Sequence, residues 1–406
     1  GSWGELGNQN TSNLYPFYEI LPVKSNSGNW LVNGGKTNTA DIPSLVSTLL
    51  TWERVRSFNV GFDFGAFSNR LTGSFDYFVR KTVDMVGPAP QLPLVLGIAP
   101  AIVNNADMKS YGFEIELSWR DRIGEVDYGV KFNLADAQQK VVKYPNTTNA
   151  FNDWYAGKMS GEIWGYTSLG IAKTDEEMKE HLASLPNGGQ NQLGNKWGAG
   201  DIMYADINGD GKVDGGKGTL ADPGDQRIIG NSTPRYNFGL VLDASYKGFD
   251  VSIFFQGVGK RDYAPIVGTN GAVFWGAVNN IWQSMAMEEH FDYFRPEGHP
   301  MGANLNGYYP RPDFTSNKNH QVQTRYLQDA SYIRLKNLQI GYTLPKQWIN
   351  KLHINRCRVY VSGDNLWTGT SLASMFDPET LAAGDWGSGK TYPLSKVISF
   401  GLNVNF

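Results

Sequence analysis

Apolar and polar residues alternate one by one along several stretches of this chain. In the stretch "RSFNVGFDF", one face carries Phe58, Val60, Phe62 and Phe64. A period of two is typical of β-strands, because successive side chains of a strand point to opposite faces. Similar stretches begin near residues 71, 111, 128, 236, 251, 332, 355 and 398. The pattern predicts an all-β fold of about ten strands, each of roughly ten residues, which is the length that crosses a bilayer at a tilt.

The connections between these predicted strands are of two very different lengths. Short turns are predicted at 65–70, 120–127 and 247–250, and long loops at about 86–107, 141–234, 259–328 and 366–394. Short turns on one side and long loops on the other are typical of outer-membrane barrels. The alternative is a soluble β-sandwich, but sandwich strands are usually about five to six residues long. We therefore expect part of a large antiparallel transmembrane β-barrel with long extracellular loops.

The composition excludes several other classes of protein. The net charge is −3, which argues against a surface for nucleic acid built on general basicity. Charged residues make up 18% and aromatic residues 13%, and there are 47 glycines, which suits many strands and aromatic loops. Cys357 is the single cysteine, so no disulfide framework within the chain is expected. No stretch approaches the roughly 18 apolar residues of a transmembrane helix.

One stretch of the third quarter, "DINGDGKVD", has the spacing of the first half of an EF-hand calcium loop. Asp206, Asn208 and Asp210 alternate, and Gly211 and Asp214 follow. An EF-hand also needs a helix on each side and a Glu at loop position twelve, where this chain has Lys217. The following "GGKGTLADPG" is too rich in Gly and Pro for a helix. We expect a loop that holds calcium without being a calcium sensor.

Catalytic motifs are missing from the sequence. Glu114 and Glu116 share one strand face, which a pair of glycosidase carboxylates would require, but such carboxylates are ordinary on the polar wall of a barrel. The five histidines show no HExxH spacing, and there is no GxSxG or P-loop. We therefore expect that the protein is not an enzyme.

One helix is predicted inside the longest loop, in "KTDEEMKEHLASLP". Thr174 and Glu177 have the spacing of a capping box, and Pro186 marks the end of the helical segment.

The long loops are also rich in aromatic residues, which suit contacts with sugar rings. The alternatives are packing of the loops against one another and an aromatic belt at the membrane interface. The tryptophans that we predict as ligand contacts are Trp154, Trp164, Trp197, Trp275 and Trp282.

Several longer motifs resemble the SusC/RagA family of TonB-dependent outer-membrane transporters of glycans and peptides. They are "SWGELGNQN", "LTGSFDYFVRKTVDM", "KSYGFEIELSWR", "GDIMYADINGDGKVD", "DQRIIGNSTPRYNFGL", "YLQDASYIRLKNLQIGYTLP" and "VYVSGDNLWT" followed by "FDPE". They run in the family order from the first ten residues almost to the end of the chain.

The resemblance implies more than this chain contains. Members of the family have an N-terminal plug domain, a TonB box and a 22-stranded barrel, which 406 residues and about ten strands cannot supply. We therefore interpret residues 1–406 as the C-terminal portion of such a barrel, with the plug domain absent from this chain. The implied function is nutrient uptake, the active import of glycans (oligosaccharides) or peptides across the cell outer membrane. A soluble, calcium-stabilised, β-rich glycan-binding or adhesin module is the alternative.

The same resemblance implies partners. A SusD-like surface lipoprotein would bind the substrate with the barrel, and the TonB–ExbB–ExbD complex would supply energy through the missing N-terminal part. The barrel wall would contact outer-membrane lipid. No nucleic-acid partner is expected.

The resemblance also extends the predicted calcium site and adds an assembly signal. In the family, the loop continues to an Asp that corresponds here to Asp225 of "DQRIIG", displaced by the inserted "GGKGTLADPG". Calcium takes six to eight oxygens, and the alternative is a polar turn without an ion. The predicted Ca²⁺ ligands are the side chains of Asp206, Asn208, Asp210, Asp214 and Asp225 with the carbonyl of Lys212. Phe406 ends an alternating strand, as the signal for barrel assembly does in outer-membrane proteins.

Overall fold

A computed structural model describes most of the chain. The described residues are 1–9, 18–43, 45–47, 50–87, 95, 98, 101–265, 272–276, 286–313, 317–350, 353–381 and 391–406.

The described part of the chain contains twenty strands, and ten of them are long strands of the main sheet. In chain order the strands are β1 (Ser2–Asn8), β2 (Val23–Lys24), β3 (Leu31–Val32), β4 (Gly35–Lys36), β5 (Thr39–Ala40), β6 (Glu53–Ala66), β7 (Leu71–Gly87), β8 (Val103–Ile123), β9 (Val126–Lys143), β10 (Glu162–Gly165), β11 (Ser168–Ile171), β12 (Ile202–Tyr204), β13 (Arg227–Asn231), β14 (Arg235–Tyr246), β15 (Phe249–Lys260), β16 (Asp262–Tyr263), β17 (Gln328–Asp329), β18 (Tyr332–Thr343), β19 (Arg356–Thr370) and β20 (Val397–Asn405).

The main sheet has the order β1-β6-β7-β8-β9-β14-β15-β18-β19-β20. Every strand of the sheet lies beside the member that precedes it along the chain, as in an up-and-down meander. Val241 in β14, for example, lies opposite Lys131 of β9 and Phe254 of β15, both antiparallel. The sheet is open in this structure, with β1 and β20 as its edges, so the predicted strand type and antiparallel order are confirmed and closure into a barrel is not seen among the described residues.

The apolar faces of these strands are exposed. Phe62 is 60% exposed, Ile398 67% and Phe400 85%, although each lies on the apolar side of a long strand. In a soluble sandwich such a face would be covered by a second sheet. An exposed apolar face on strands of this length is what a bilayer would cover. The soluble-sandwich alternative therefore does not fit the fold.

The polar face of the sheet uses glycine to make room for longer side chains. Gly401 lies directly opposite Tyr360, and Gly129 lies opposite Asp243. A Cβ added at Gly401 would overlap the ring of Tyr360, and one at Gly129 would come within 2.7 Å of the Asp243 carboxylate. The Tyr360 and Asp243 side chains therefore lie across the glycines of the neighbouring strands and do not project straight out from the sheet.

The chain divides into two compact units. The first comprises Gly1–Val60, Tyr77–Gly112 and Gln138–Ser160, and the second comprises Gly61–Asp76, Phe113–Ala137 and Gly161–Phe406. In the first unit, β1 pairs with the start of β6, and two small hairpins form from β2 with β5 and β3 with β4. The second unit holds the loop segments from Gly161 onward and most of the buried residues.

Helices are short in the described part of the chain. They are α1 (Asp175–Ala183), α2 (Ala272–Trp275), α3 (Lys346–Ile349) and a 3₁₀ turn at Glu288–Phe291. The predicted cap of α1 is confirmed, because the Thr174 hydroxyl accepts a hydrogen bond from the Glu177 amide at 3.1 Å. Within the described residues, no helix is long and apolar enough to cross a membrane.

Candidate functional site

The hydrophobic core of the second unit is made by the loops that join the strands. Its buried members are Tyr166, Leu185, Ile202, Tyr204, Val213, Val273, Phe274, Trp275, Tyr309, Tyr326, Ala330, Leu372 and Phe376. All of them except Ala330 come from the segments predicted as long loops, so these loops fold into a packed body of their own. We call this body the loop core.

A buried group of charges lies beside the loop core. The Asp201 carboxylate is fully buried and accepts hydrogen bonds from the Arg311 guanidinium at 2.7 and 2.8 Å. It also accepts from the Lys318 ammonium and the Asn319 amide, each at 2.9 Å, and from the Gly198 amide at 2.9 Å. Lys318 is 1% exposed. Buried ions of opposite charge that are paired and hydrogen-bonded in this way fix one arrangement of the loops.

A second ion cluster joins the end of a loop to the sheet. Arg334 of β18 is buried and donates to Asp377 at 2.6 Å and to Glu379 at 2.8 Å. Lys336 donates to the same Glu379 at 2.6 Å. These bonds hold the segment after β19 against the strand that carries Arg334.

The predicted calcium loop is tightly wound by its own side chains. The Asp206 carboxylate accepts hydrogen bonds from the amides of Gly209 at 2.6 Å and Gly211 at 2.8 Å. Asn208 accepts from the Asp210 amide at 2.9 Å, and Asp210 accepts from the Lys212 amide at 3.1 Å. Gly209 and Gly211 have φ of 76° and 81°, which a residue with a Cβ rarely adopts. The loop therefore has the compact turns that its Asp, Asn and Gly positions predict.

Asp225 joins this loop despite the insertion that separates them in the sequence. Its carboxylate accepts from the amides of Ile207 at 2.7 Å and Asp214 at 2.8 Å. The Asp225 amide also donates to the Asp214 carbonyl at 2.9 Å. The two ends of the inserted segment 215–224 thus lie next to each other, and the insertion forms a side loop that leaves and rejoins the main loop at the same place.

One lysine offsets part of the negative charge of this loop. Burial raises the pKa of Asp225. Burial would also raise the pKa of Asp214, but hydrogen bonds from the Lys212 ammonium and the Gly216 amide hold it below its usual range. The Lys212 ammonium forms a salt bridge with Asp214 and lies 3.9 Å from Asp210.

The donor types of the loop suit calcium, but their present arrangement does not gather them around one point. Carboxylate, amide and carbonyl oxygens are the ligands that calcium prefers. Among the described residues, no group of three or more His, Cys, Asp or Glu side chains is placed to hold a metal ion. Asp206, Asn208, Asp210 and Asp214 would hold an ion only after turning away from the backbone amides, with Lys212 displaced from Asp214.

The five predicted ligand-contact tryptophans lie in different surroundings. Trp275 is fully buried in the loop core, where its ring lies 4.5 Å from His320 and 4.7 Å from Tyr326. Trp197 donates to the Gly194 carbonyl at 3.1 Å and has the Lys318 ammonium 5.1 Å from its ring. These two rings are packed within the loops.

The other predicted contacts are more open or lie elsewhere. Trp164 is half-buried in β10, and Trp154 is 39% exposed, with the Lys158 ammonium 5.7 Å from its ring. Trp282 lies outside the described residues. Phe406, the predicted assembly signal, follows β20 and is largely exposed.

Sequence reasoning missed both ion clusters. Arg334, Asp377 and Glu379 stand in motifs that carry the family resemblance, but nothing in the sequence pairs them. Asp201 and Lys318 are 117 positions apart, and no periodic pattern connects them. The one sequence feature that pointed to buried ion pairs was the presence of charged residues among the aromatic residues of the long loops.

Comparison with known proteins gives a consistent match. A family model described as TonB-dependent receptor-like β-barrel matches residues 1–366. TonB-dependent receptor P3 of Formosa agariphila is 28% identical, and the match covers 100% of this chain and 39% of the relative. TonB-dependent receptor SusC of Bacteroides thetaiotaomicron is 20% identical, with 100% and 37% covered. These relatives are named as receptors and not as enzymes.

Solved structures agree in fold. The RagAB peptide transporter matches with a TM-score of 0.70 and 23% identity, covering 100% of this chain and 40% of that one. The RagAB peptide importer in the "open-open" state matches with a TM-score of 0.71. The chain thus spans about two fifths of the length of the relatives it matches.

Proposed function

The chain belongs to the TonB-dependent receptor β-barrel family of the outer membrane, and we propose that it forms part of the wall and outer loops of a nutrient importer. The proposal covers the whole protein, of which this chain would be the C-terminal portion. The observation that carries it is the inverted burial: the sheet exposes its apolar face, while the loops enclose the packed core. A wall that faces lipid and loops that pack in water need this distribution.

The polar face of the sheet supports a hydrophilic cargo. A hollow on this face of the second unit is lined by Asp63, Thr72, Ser74, Glu116, Ser118, Lys131 and Asn133, among others. Hydroxyl, amide and carboxylate groups exchange hydrogen bonds readily with a hydrated solute. We propose a glycan as the cargo, because the loops also carry the exposed ring of Trp154. A peptide is the competing cargo, since the structural relative RagAB is a peptide transporter.

Partners follow from the same family. We propose that a SusD-like lipoprotein binds over the outer loops and that the TonB–ExbB–ExbD complex supplies energy. The double name of the RagAB peptide transporter points to a second component, which supports a partner of this kind. We also propose one structural Ca²⁺ in the loop from Asp206 to Asp214, supported by its oxygen donors and by the proximity of Asp225.

A growth experiment tests the proposed import. A strain that lacks the full-length gene is compared with its parent on single oligosaccharides and on oligopeptides as the sole carbon source. We expect a defect on one class of oligosaccharide, restored by the wild-type gene and not restored when TonB is inactivated. A growth defect confined to oligopeptides would identify peptides and not glycans as the cargo. Unchanged growth and uptake on every substrate would contradict the import proposal.

A further inference from the structure

The outward face of the first unit carries a row of cations where the apolar band ends. We call this row, Arg56, Lys81, Lys109 and Lys140, the basic row. Arg56 lies opposite Glu5 in the pairing of β1 with β6. Counting from the short turns at 67–70 and 124–125 places Lys81 beside Arg56 and Lys140 beside Lys109. The Arg120 amide donates to the Arg70 carbonyl at 2.8 Å, and counting from this bond places Lys81 beside Lys109. Each cation thus stands on a different strand at the same height.

The basic row is on the apolar side of the strands. Two positions nearer the short turns, the same face carries Trp3, Phe58, Val79 and Tyr111, whereas β9 carries the polar Gln138 there. The Lys109 ammonium lies 4.9 Å from the centre of the Tyr111 ring, which confirms that these two side chains share a face. The row is therefore at the edge of the apolar band, on the side of the long loops.

Most of the positive charge of the row is not neutralised by the chain. Arg56 donates to Glu5 at 2.7 Å. No salt bridge joins Lys81, Lys109 or Lys140 to an acidic residue in the described part of the chain. Of the nearby acids, Asp84 is paired with Arg54. Asp107 accepts the Asp84 amide at 2.9 Å and keeps its negative charge, one carboxylate against three lysines.

Three unpaired lysines side by side are unfavourable without an external anion. Neighbouring strands are about 4.8 Å apart, and like charges directly opposite each other on paired strands are destabilising. A lysine at the edge of an apolar band extends its ammonium toward the headgroups while its stem stays on apolar surface. Anionic headgroups attract such cations.

We propose that the basic row binds phosphate-bearing anionic lipids of the leaflet at the long-loop end, with their acyl chains against the apolar band below. The phosphates would lie over Lys81, Lys109 and Lys140 and separate their charges. This inference rests on the outer-membrane location of the family and not on the proposed import, so either can fail without the other.

Native mass spectrometry of the full-length protein in a neutral detergent tests the proposal. Equal amounts of dioleoylphosphatidylglycerol and dioleoylphosphatidylcholine are added, and the ratio of the bound lipids is measured. We expect the wild type to favour phosphatidylglycerol. Combining Lys81→Gln, Lys109→Gln and Lys140→Gln should reduce this preference at least tenfold, since each cation near an anionic surface contributes a factor of about five.

A matched control removes three cations elsewhere. Arg80 and Lys131 lie on the polar face of β7 and β9, and Lys179 lies on α1. The combined variant Arg80→Gln, Lys131→Gln and Lys179→Gln should leave the ratio of bound lipids unchanged. Heat-modifiable migration in electrophoresis establishes folding of each variant. Should the triple variant not fold, the single changes Lys81→Gln and Lys140→Gln should each lower the ratio severalfold.

Two results would overturn the proposal. One is an unchanged ratio of bound lipids, either because the wild type shows no preference for phosphatidylglycerol or because the basic-row variant keeps the wild-type ratio. The other is loss of the preference when millimolar inorganic phosphate is added at constant ionic strength, which would identify a site for a free anion.

Discussion

Replacing Asp201 by Ala should open the loop core while leaving the sheet intact. The Asp201 carboxylate is fully buried and accepts five hydrogen bonds, from Gly198, Lys318, Asn319 and twice from Arg311. Without it, the Lys318 ammonium loses its nearest carboxylate, and it keeps the carbonyls of Asn195 and Lys196 and the more distant Asp313.

The size of the effect follows from the burial of Lys318. Removing one partner of a buried ion pair costs about 3–5 kcal/mol, because the remaining buried charge loses its close counter-ion. Amide exchange by local opening reports this difference directly. A loss of this size corresponds to an increase in exchange of about 150-fold to several thousandfold.

The assay is hydrogen–deuterium exchange of the full-length protein in detergent, read at peptides that cover β12 and the segment around Tyr326. Exchange in β14 and β15 should stay within about twofold of the wild type, because foldons open separately. Asp313→Ala is the matched control, since Asp313 lies 3.7 Å from the Lys318 ammonium and is partly exposed. Because this contact is longer and Asp313 is partly exposed, its loss should accelerate exchange less than the loss of the buried Asp201 does. Equal effects of Asp201→Ala and Asp313→Ala, or uniform acceleration in the strands, would refute the reasoning.

Three further predictions concern the membrane, the ion and the topology. Leu402→Lys should reduce folded, heat-modifiable protein in outer membranes, because a lysine at the bilayer midplane of a barrel costs about 2–4 kcal/mol, whereas Asn403→Lys on the polar face should not; equal damage would reverse the assignment of the faces. Asp210→Ala should lower the calcium content of the dialysed full-length protein, measured by mass spectrometry, by about one equivalent; a calcium-free wild type would exclude the site. A cysteine placed at Asn191 should be labelled by an impermeant reagent on intact cells and one at Asn69 should not; the opposite result would invert the topology.

The alternating pattern was sufficient to predict the sheet, but it underestimated the lengths of its strands. The stretch 56–64 lies within β6, which runs over Glu53–Ala66, and β8 begins at Val103, inside a segment predicted as loop. Near the strand ends on the long-loop side, charged and polar residues replace the apolar ones, so the period of two fades although the backbone pairing continues. Periodicity records which environment a face meets and not where hydrogen bonding stops.

The loop core was beyond the reach of local pattern. Tyr166, Trp275, Tyr326 and Phe376 come from distant parts of the chain, and nothing in their spacing indicates that they meet. The calcium loop was the opposite case. Asp206, Asn208 and Gly211 act within a few residues of one another, so local pattern was enough to name their polar turn as the alternative to an ion site.

The inserted segment 215–224 leaves the loop at Asp214 and returns to it at Asp225, where the two residues are hydrogen-bonded to each other. Asp214 and Asp225 are joined by backbone and side-chain hydrogen bonds, so the segment between them can change length without moving either end. Longer closed segments add little entropic cost, about 0.6 kcal/mol for each doubling. The segment 215–224 is therefore a place where an epitope tag can be inserted without disturbing the loop that carries it.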